Sequence, residues 1–274
     1  MGVSLGGRRS RRIGSILASV GLVAGMLAAT TGTATAASGP ATALTCSGGD
    51  FTTLSPAMIP SGTYSSLTVT GFCEVASGAK VTVKSGLTVA PGAFLVASGI
   101  LDNGMAYPDC NRTITVSGGI YVGTGGSLSL GDGLGSGCSP NTKTTVNGGL
   151  NAAGPLFLIV HGVTVNGGLS SVGGGDNLPC NFAGLPTYAT VEDSQINGGV
   201  TVSGYRACFL GFIRNRVNGT VRLTNNYEPT DEIDVGANVV HGSLLCSGNV
   251  PLENTGGSPS SPSQVTGRDT CNGT

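Results

Sequence analysis

Carboxylates able to act as acid and base fall in two groups, Glu192–Asp193 and the set Glu228, Asp231, Glu232 and Asp234. Glycosidases place two carboxyl groups on either side of the bond they break, so these are the first candidates for catalysis. Arg214 follows Asp193 by 21 residues and His161 precedes Glu192 by 31. Both are intervals of an internal repeat, which sets Asp193 on the rung of Arg214 and Glu192 on that of His161. Such a set makes either an acid/base groove or a surface ion pair worth about 0–1 kcal/mol. The ion pair is favoured, because corroborating signals are absent. No GxSxG occurs in a strand–turn–helix context. Cysteines and histidines do not cluster at zinc-ligand spacing. Gly131-Asp-Gly-Leu-Gly resembles a calcium-binding repeat but occurs once, where such sites need stacked copies. No cofactor or metal is expected. With no tryptophan and 5% aromatic residues, a sugar-stacking platform is left to Tyr107, Tyr121, Tyr188 and Tyr205.

The elements that would position these residues come from the repeat. TVNGGL occurs twice, at Thr145–Leu150 and Thr164–Leu169. Its variants align Leu87, Ile120, Leu150, Leu169, Val200, Val221 and Leu244 after the glycines, at intervals of 33, 30, 19, 31, 21 and 23 residues. The longer intervals hold insertions rich in Gly, Pro, Asn and Asp: Asp102–Arg112, Gly131–Thr142 and Gly173–Pro186. On both sides of the glycines apolar residues alternate with polar ones, which is strand periodicity. A third apolar run follows in most copies. Three short strands in about 20 residues make one coil of a parallel β-solenoid. The expected fold is therefore all-β, a right-handed parallel β-helix of about seven coils with disulfide-tied loops; the hand follows the crossover rule for parallel strands. Val146, Val165, Ile196 and Val217 should fill one inward file. Asn147, Asn166, Asn197 and Asn218, with His241 last, should form an amide ladder before the glycines, and Asn215 should lie over Asn238. Thr82, Thr115, Thr145 and Thr164 share an outward file of the kind ice-binding solenoids use. It ends at Gln195, Arg216 and Val239, and the β-propensity of threonine accounts for it.

Residues 1–36 read as a secretory leader, with Arg8, Arg9, Arg11 and Arg12 before an apolar stretch and Ala34-Thr35-Ala36 as the cleavage site. Residues 37–60 form an N-terminal cap, 61–247 the β-helix, and 248–274 a Pro/Ser/Gly loop with a C-terminal tail clipped to the helix. Without the leader, 9 basic residues face 14 acidic ones, a net charge of about −5. That charge argues against nucleic acid as a partner, and against a membrane after leader removal. The even number of cysteines, 8, all after the leader, implies disulfides and an extracellular setting. Cys46–Cys73, Cys110–Cys138, Cys180–Cys208 and Cys246–Cys271 are 27, 28, 28 and 25 residues apart. One coil plus an insertion brings such residues side by side, so pairing should be sequential.

Taken together, the repeats and the ending (LLCSGN, a Pro/Ser/Gly stretch, then VTGRDTC) resemble secreted right-handed parallel β-helix proteins of the pectin-lyase-like superfamily, in particular actinobacterial ones. The likeness implies a scaffold rather than an activity. The paired aspartates, Gly-His-Gly and Arg-x-Lys of polygalacturonases are missing. The expected function is that of a secreted non-catalytic β-helix, a structural, cell-surface or adhesive module binding extracellular polysaccharide or a surface component. The alternative is a carbohydrate-active enzyme, a polysaccharide lyase or glycoside hydrolase, using Glu192, Asp193, Arg214 and His161.

Overall fold

Valines spaced two apart and interrupted by glycines are buried most simply when short extended segments turn at each glycine and stack on the copy below. The computed structural model has this arrangement and describes residues 40–99, 112–132, 143–175, 188–206, 208–228, 233–251 and 261–271. Every regular element among them is a strand, and every pairing between strands is parallel. One turn of the rod illustrates the rest. Lys143–Val146 runs along a first face, the chain bends at Gly148-Gly149, Leu150–Ala153 runs along a second, and Phe157–His161 along a third. The first two faces share a 17-stranded sheet and the third is an 8-stranded one. Of those eight strands, the first, Ala57–Ile59, closes an incomplete turn and the other seven close complete ones.

The rungs stack in register. Val146 pairs with Val165, Val165 with Ile196, and Ile196 with Val217, all at 0% exposure. Leu150, Leu169, Val200, Val221 and Leu244 make the matching file on the second face. From the second copy on, the first glycine of the corner is sterically required: a Cβ on Gly148 would lie 2.7 Å from the carbonyl carbon of Gly118, and one on Gly167 2.7 Å from the nitrogen of Gly149. The second is less constrained, and Thr220 and Ser243 stand there in later copies.

Both ends of the described rod are incomplete turns. Thr42–Cys46 pairs with Gly62–Val69, so the cap already belongs to the rod. Its disulfide, Cys46–Cys73, ties it to the next turn. At the other end Gln264–Val265 pairs with Val239–Val240, and Cys246–Cys271 holds the tail. Cys208 is also disulfide-bonded. Its expected partner Cys180 lies outside the described residues, as do Cys110, Cys138, residues 1–36 and most of the three insertions.

Polar groups inside the rod are organised in ladders. Asn215 stacks on Asn238, whose Oδ1 accepts the Asn215 backbone N–H at 2.9 Å. Asn226 stacks on Asn249 in the same way, also at 2.9 Å. Each amide satisfies backbone groups that the bends would otherwise leave unpaired. Among the described residues the Arg112–Glu74 ion pair is buried outright: Arg112 Nη2 lies 2.6 Å from Glu74 Oε1, and its Nε donates to the Val75 carbonyl at 2.8 Å.

Candidate functional site

The corner after the third-face strand positions the carboxylates. Strands Phe157–His161, Tyr188–Glu192 and Phe209–Ile213 pair with His161 beside Glu192 and Glu192 beside Ile213. The next residue of each turn, Gly162, Asp193, Arg214 and Ala237, has φ between 53° and 64°. Three of these are not glycine, at a backbone conformation that costs of order 1 kcal/mol for other residues. Since Ala237 shares it, the strain belongs to the bend and not to a catalytic role.

All four residues singled out for chemistry meet here. Arg214 Nε lies 2.5 Å from Asp193 Oδ1, and its Nη2 lies 3.0 Å from Asp193 Oδ2 and 2.9 Å from Glu192 Oε2. The Asp193 hydrogen bonds, then its charge and that of Glu192, hold the Arg214 guanidinium above its usual pKa against partial desolvation. His161 Nε2 hydrogen-bonds Thr190 Oγ1 at 2.7 Å and sits 3.8 Å from Glu192 Oε1. Burial pushes its pKa down, and the neighbouring carboxylates only partly oppose this, so the ring is neutral at pH 7.

This geometry is a clamp. One guanidinium binds both carboxylates, so neither is set apart from the other across a substrate, as glycoside hydrolysis needs. Arg214 holds its proton more firmly than usual, the opposite of what a lyase base requires. Among the described residues no group of three or more His, Cys, Asp or Glu side chains could hold a metal. In the second acidic group, Glu228 is buried and Asp234 half-buried on the third face, while Asp231 and Glu232 lie outside the described residues.

Other candidates separate clearly. The exposed ladder forms as expected, with Asn166 donating to Asn147, Asn197 to Asn166 and Asn218 to Asn197, each at 2.8 Å. The outward threonine file is present and gains Thr63 at its start. Among the described residues no tyrosine platform forms. Tyr205 is fully buried, its hydroxyl donating to the Leu156 and Tyr188 carbonyls, and Tyr188 packs against Phe209 on the third face. Tyr121 is alone in facing solvent from the second face, 49% exposed, and Tyr107 lies outside the described residues. The reason is period two: Tyr121 falls at an outward position, whereas Tyr205 falls in a bend that closes over the core.

Sequence reasoning missed several participants. Asp132, noted in sequence only within the Gly131-Asp-Gly-Leu-Gly fragment, stands one rung from Gly162, buried, with Oδ1 accepting the Gly99 N–H at 2.7 Å. Thr190, the partner of His161, and the Asn226–Asn249 ladder were also unforeseen. The 23-residue separation of that pair equals that of Asn215 and Asn238, which was the available signal.

Among the described residues, concavities flank the rod on both of its sheets. An apolar one of about 270 Å³ lies on the third face among Phe51, Phe72, Phe94 and Phe157. A polar one of about 370 Å³ follows the glycine corner, with Asn151, Ser170, Thr201 and Arg222 along one wall. Comparison with protein-family models, curated proteins and solved structures returns no match.

Proposed function

We propose that the protein is a secreted, non-catalytic β-solenoid, a structural or adhesive module of the cell exterior in the style of pectin-lyase-like scaffolds. The observation that carries this reading is the binding of both Glu192 and Asp193 by the one guanidinium of Arg214. The charged cluster that converges is thereby committed to bracing adjacent turns. Formed disulfides at both ends of the rod fit an oxidising compartment, and the leader read from residues 1–36 supplies the route. No helix of the described residues is long and apolar enough to cross a membrane.

A carbohydrate-active enzyme working at the same corner is the rival, favoured by one feature: a neutral, part-exposed His161 beside Glu192. Incubating the protein with a polysaccharide panel, with and without calcium, separates the two. The expected result is no new reducing ends and no absorbance from unsaturated products. Cleavage that disappears in Asp193→Ala would overturn the non-catalytic reading.

A further inference from the structure

Although the chain without its leader carries about −5, its charges are sorted by face. Lys80, Lys84, Lys143, Arg216, Arg222 and Arg268 all lie on the first and second faces or the turns joining them, and all six are exposed. Among the described residues none of them is ion-paired. The three other basic residues are spoken for elsewhere: Arg112 by Glu74, Arg214 by Glu192 and Asp193, and Arg206 by the ring of Tyr227 at 5.8 Å. Of the described acidic residues, Asp269 alone falls on this side, half-buried, its Oδ1 accepting the Cys271 N–H at 2.9 Å. Among the described residues the first two faces thus carry a net positive charge, on a protein of negative net charge.

We infer that this surface docks a linear glycan carrying carboxylates at intervals, with neutral sugars between them. The pairings place Lys80 and Lys84 on one turn, Lys143 two turns on, Arg216 and Arg222 three further, and Arg268 two further still. With turns about 4.8 Å apart, the cations are spaced by about 10, 14 and 10 Å. A DNA strand presents a charge every ~3.4 Å, a density this spacing does not match. Polymers charged on every unit fit poorly for the same reason. Between the cations lie groups suited to sugar hydroxyls. Asn166 uses one amide N–H and one oxygen lone pair on its ladder neighbours, leaving a donor and an acceptor free, while Asn197, whose Oδ1 accepts from both Gln195 and Asn218, keeps one amide N–H free. The groove along the glycine corner adds Asn151, Ser170 and Thr201, ending at Arg222. Tyr121 is in the same file as Asn151, one rung away, and offers an exposed ring for a sugar to stack on. Arginine and lysine bind carboxylates through charge-assisted hydrogen bonds.

This inference deepens the module reading by naming its partner, and it is tested separately. The full chain is titrated against labelled hyaluronan oligosaccharide, which has one carboxylate per disaccharide, and against dextran, polygalacturonate and single-stranded DNA. Hyaluronan should bind tightest, and more weakly as salt rises. Lys143→Glu/Arg216→Glu/Arg222→Glu should weaken it about tenfold or more, and the neutralising pair Lys143→Gln/Arg222→Gln should weaken it less. Arg206→Gln should leave it unchanged. The inference is overturned by absent hyaluronan binding, by equal affinity for dextran, by preference for polygalacturonate or DNA, or by unaltered binding in both face variants. Cleavage of bound hyaluronan would sink the non-catalytic reading while leaving the docking face intact.

Discussion

His161 shows how burial and charge compete at one residue. Desolvation lowers its pKa in the folded chain relative to about 6.5 unfolded, and the carboxylates at 192 and 193 only partly reverse this. The unfolded state therefore binds the proton more readily, so this residue's contribution to stability is present above pH 6.5 and is lost as pH falls from there through the lower folded value. The melting temperature should drop between pH 7.5 and 5, and His161→Gln should flatten that drop; parallel slopes for the two proteins would refute the assignment. Thr144 poses a simpler question. It faces inward in a file with Ile114 and Val163, 3% exposed, and its hydroxyl has no hydrogen-bond partner among the described residues. Valine has the same shape without the buried polar group. Thr144→Val should stabilise the protein by about 1 kcal/mol, read as a raised midpoint in denaturant.

At the scale of the elements, two kinds of asparagine ladder look alike in sequence and differ in consequence. Asn238 is fully buried, donates to the Phe212 carbonyl at 2.8 Å and accepts the Asn215 N–H at 2.9 Å. Asn238→Ala strips two buried backbone groups of their partners and should cost about 3 kcal/mol. Asn197 makes equally short bonds to Asn166 and Asn218 but does so in water. Asn197→Ala should cost about 0.5 kcal/mol or less. Chemical denaturation of both variants checks the contrast, and equal losses would show that stacking, not burial, sets the worth of a ladder. The third-face corner obeys the same logic: Arg214 is stitched to two carboxylates across adjacent turns, which makes the turns resist separation.

For the whole molecule, a solenoid has no centre, and its stability passes from each turn to the next. The ends are then the places where unwinding starts. Cys246–Cys271 closes a 25-residue separation over the final partial turn, and the chain-entropy model gives such a bridge about 3–4 kcal/mol. In Cys246→Ser/Cys271→Ser, amide exchange should quicken first at Leu244–Ser247 and Gln264–Val265 and little at Leu150–Ala153. Uniform acceleration along the rod would instead indicate one cooperative unit.

How much of this was legible in the residues follows from what periodicity encodes. Alternation and a repeated glycine corner determine strand, direction of burial and register, because a slip by one residue would turn every valine outward. For that reason the files Val146–Val217 and Asn147–Asn218, the rung partners of Asp193 and Glu192, and the two described cystines could all be derived from spacing. Alternation does not encode what a side chain does once it reaches the corner. Glu192 and Asp193 could have been a catalytic pair, and it took the packing of neighbouring turns to set one guanidinium between them. Nor does it encode how charges gather from distant turns. Six cations scattered from Lys80 to Arg268 average to nothing in a chain of net negative charge. Winding brings them to adjoining faces of the rod, since residues far apart in sequence share a side only when successive turns are stacked.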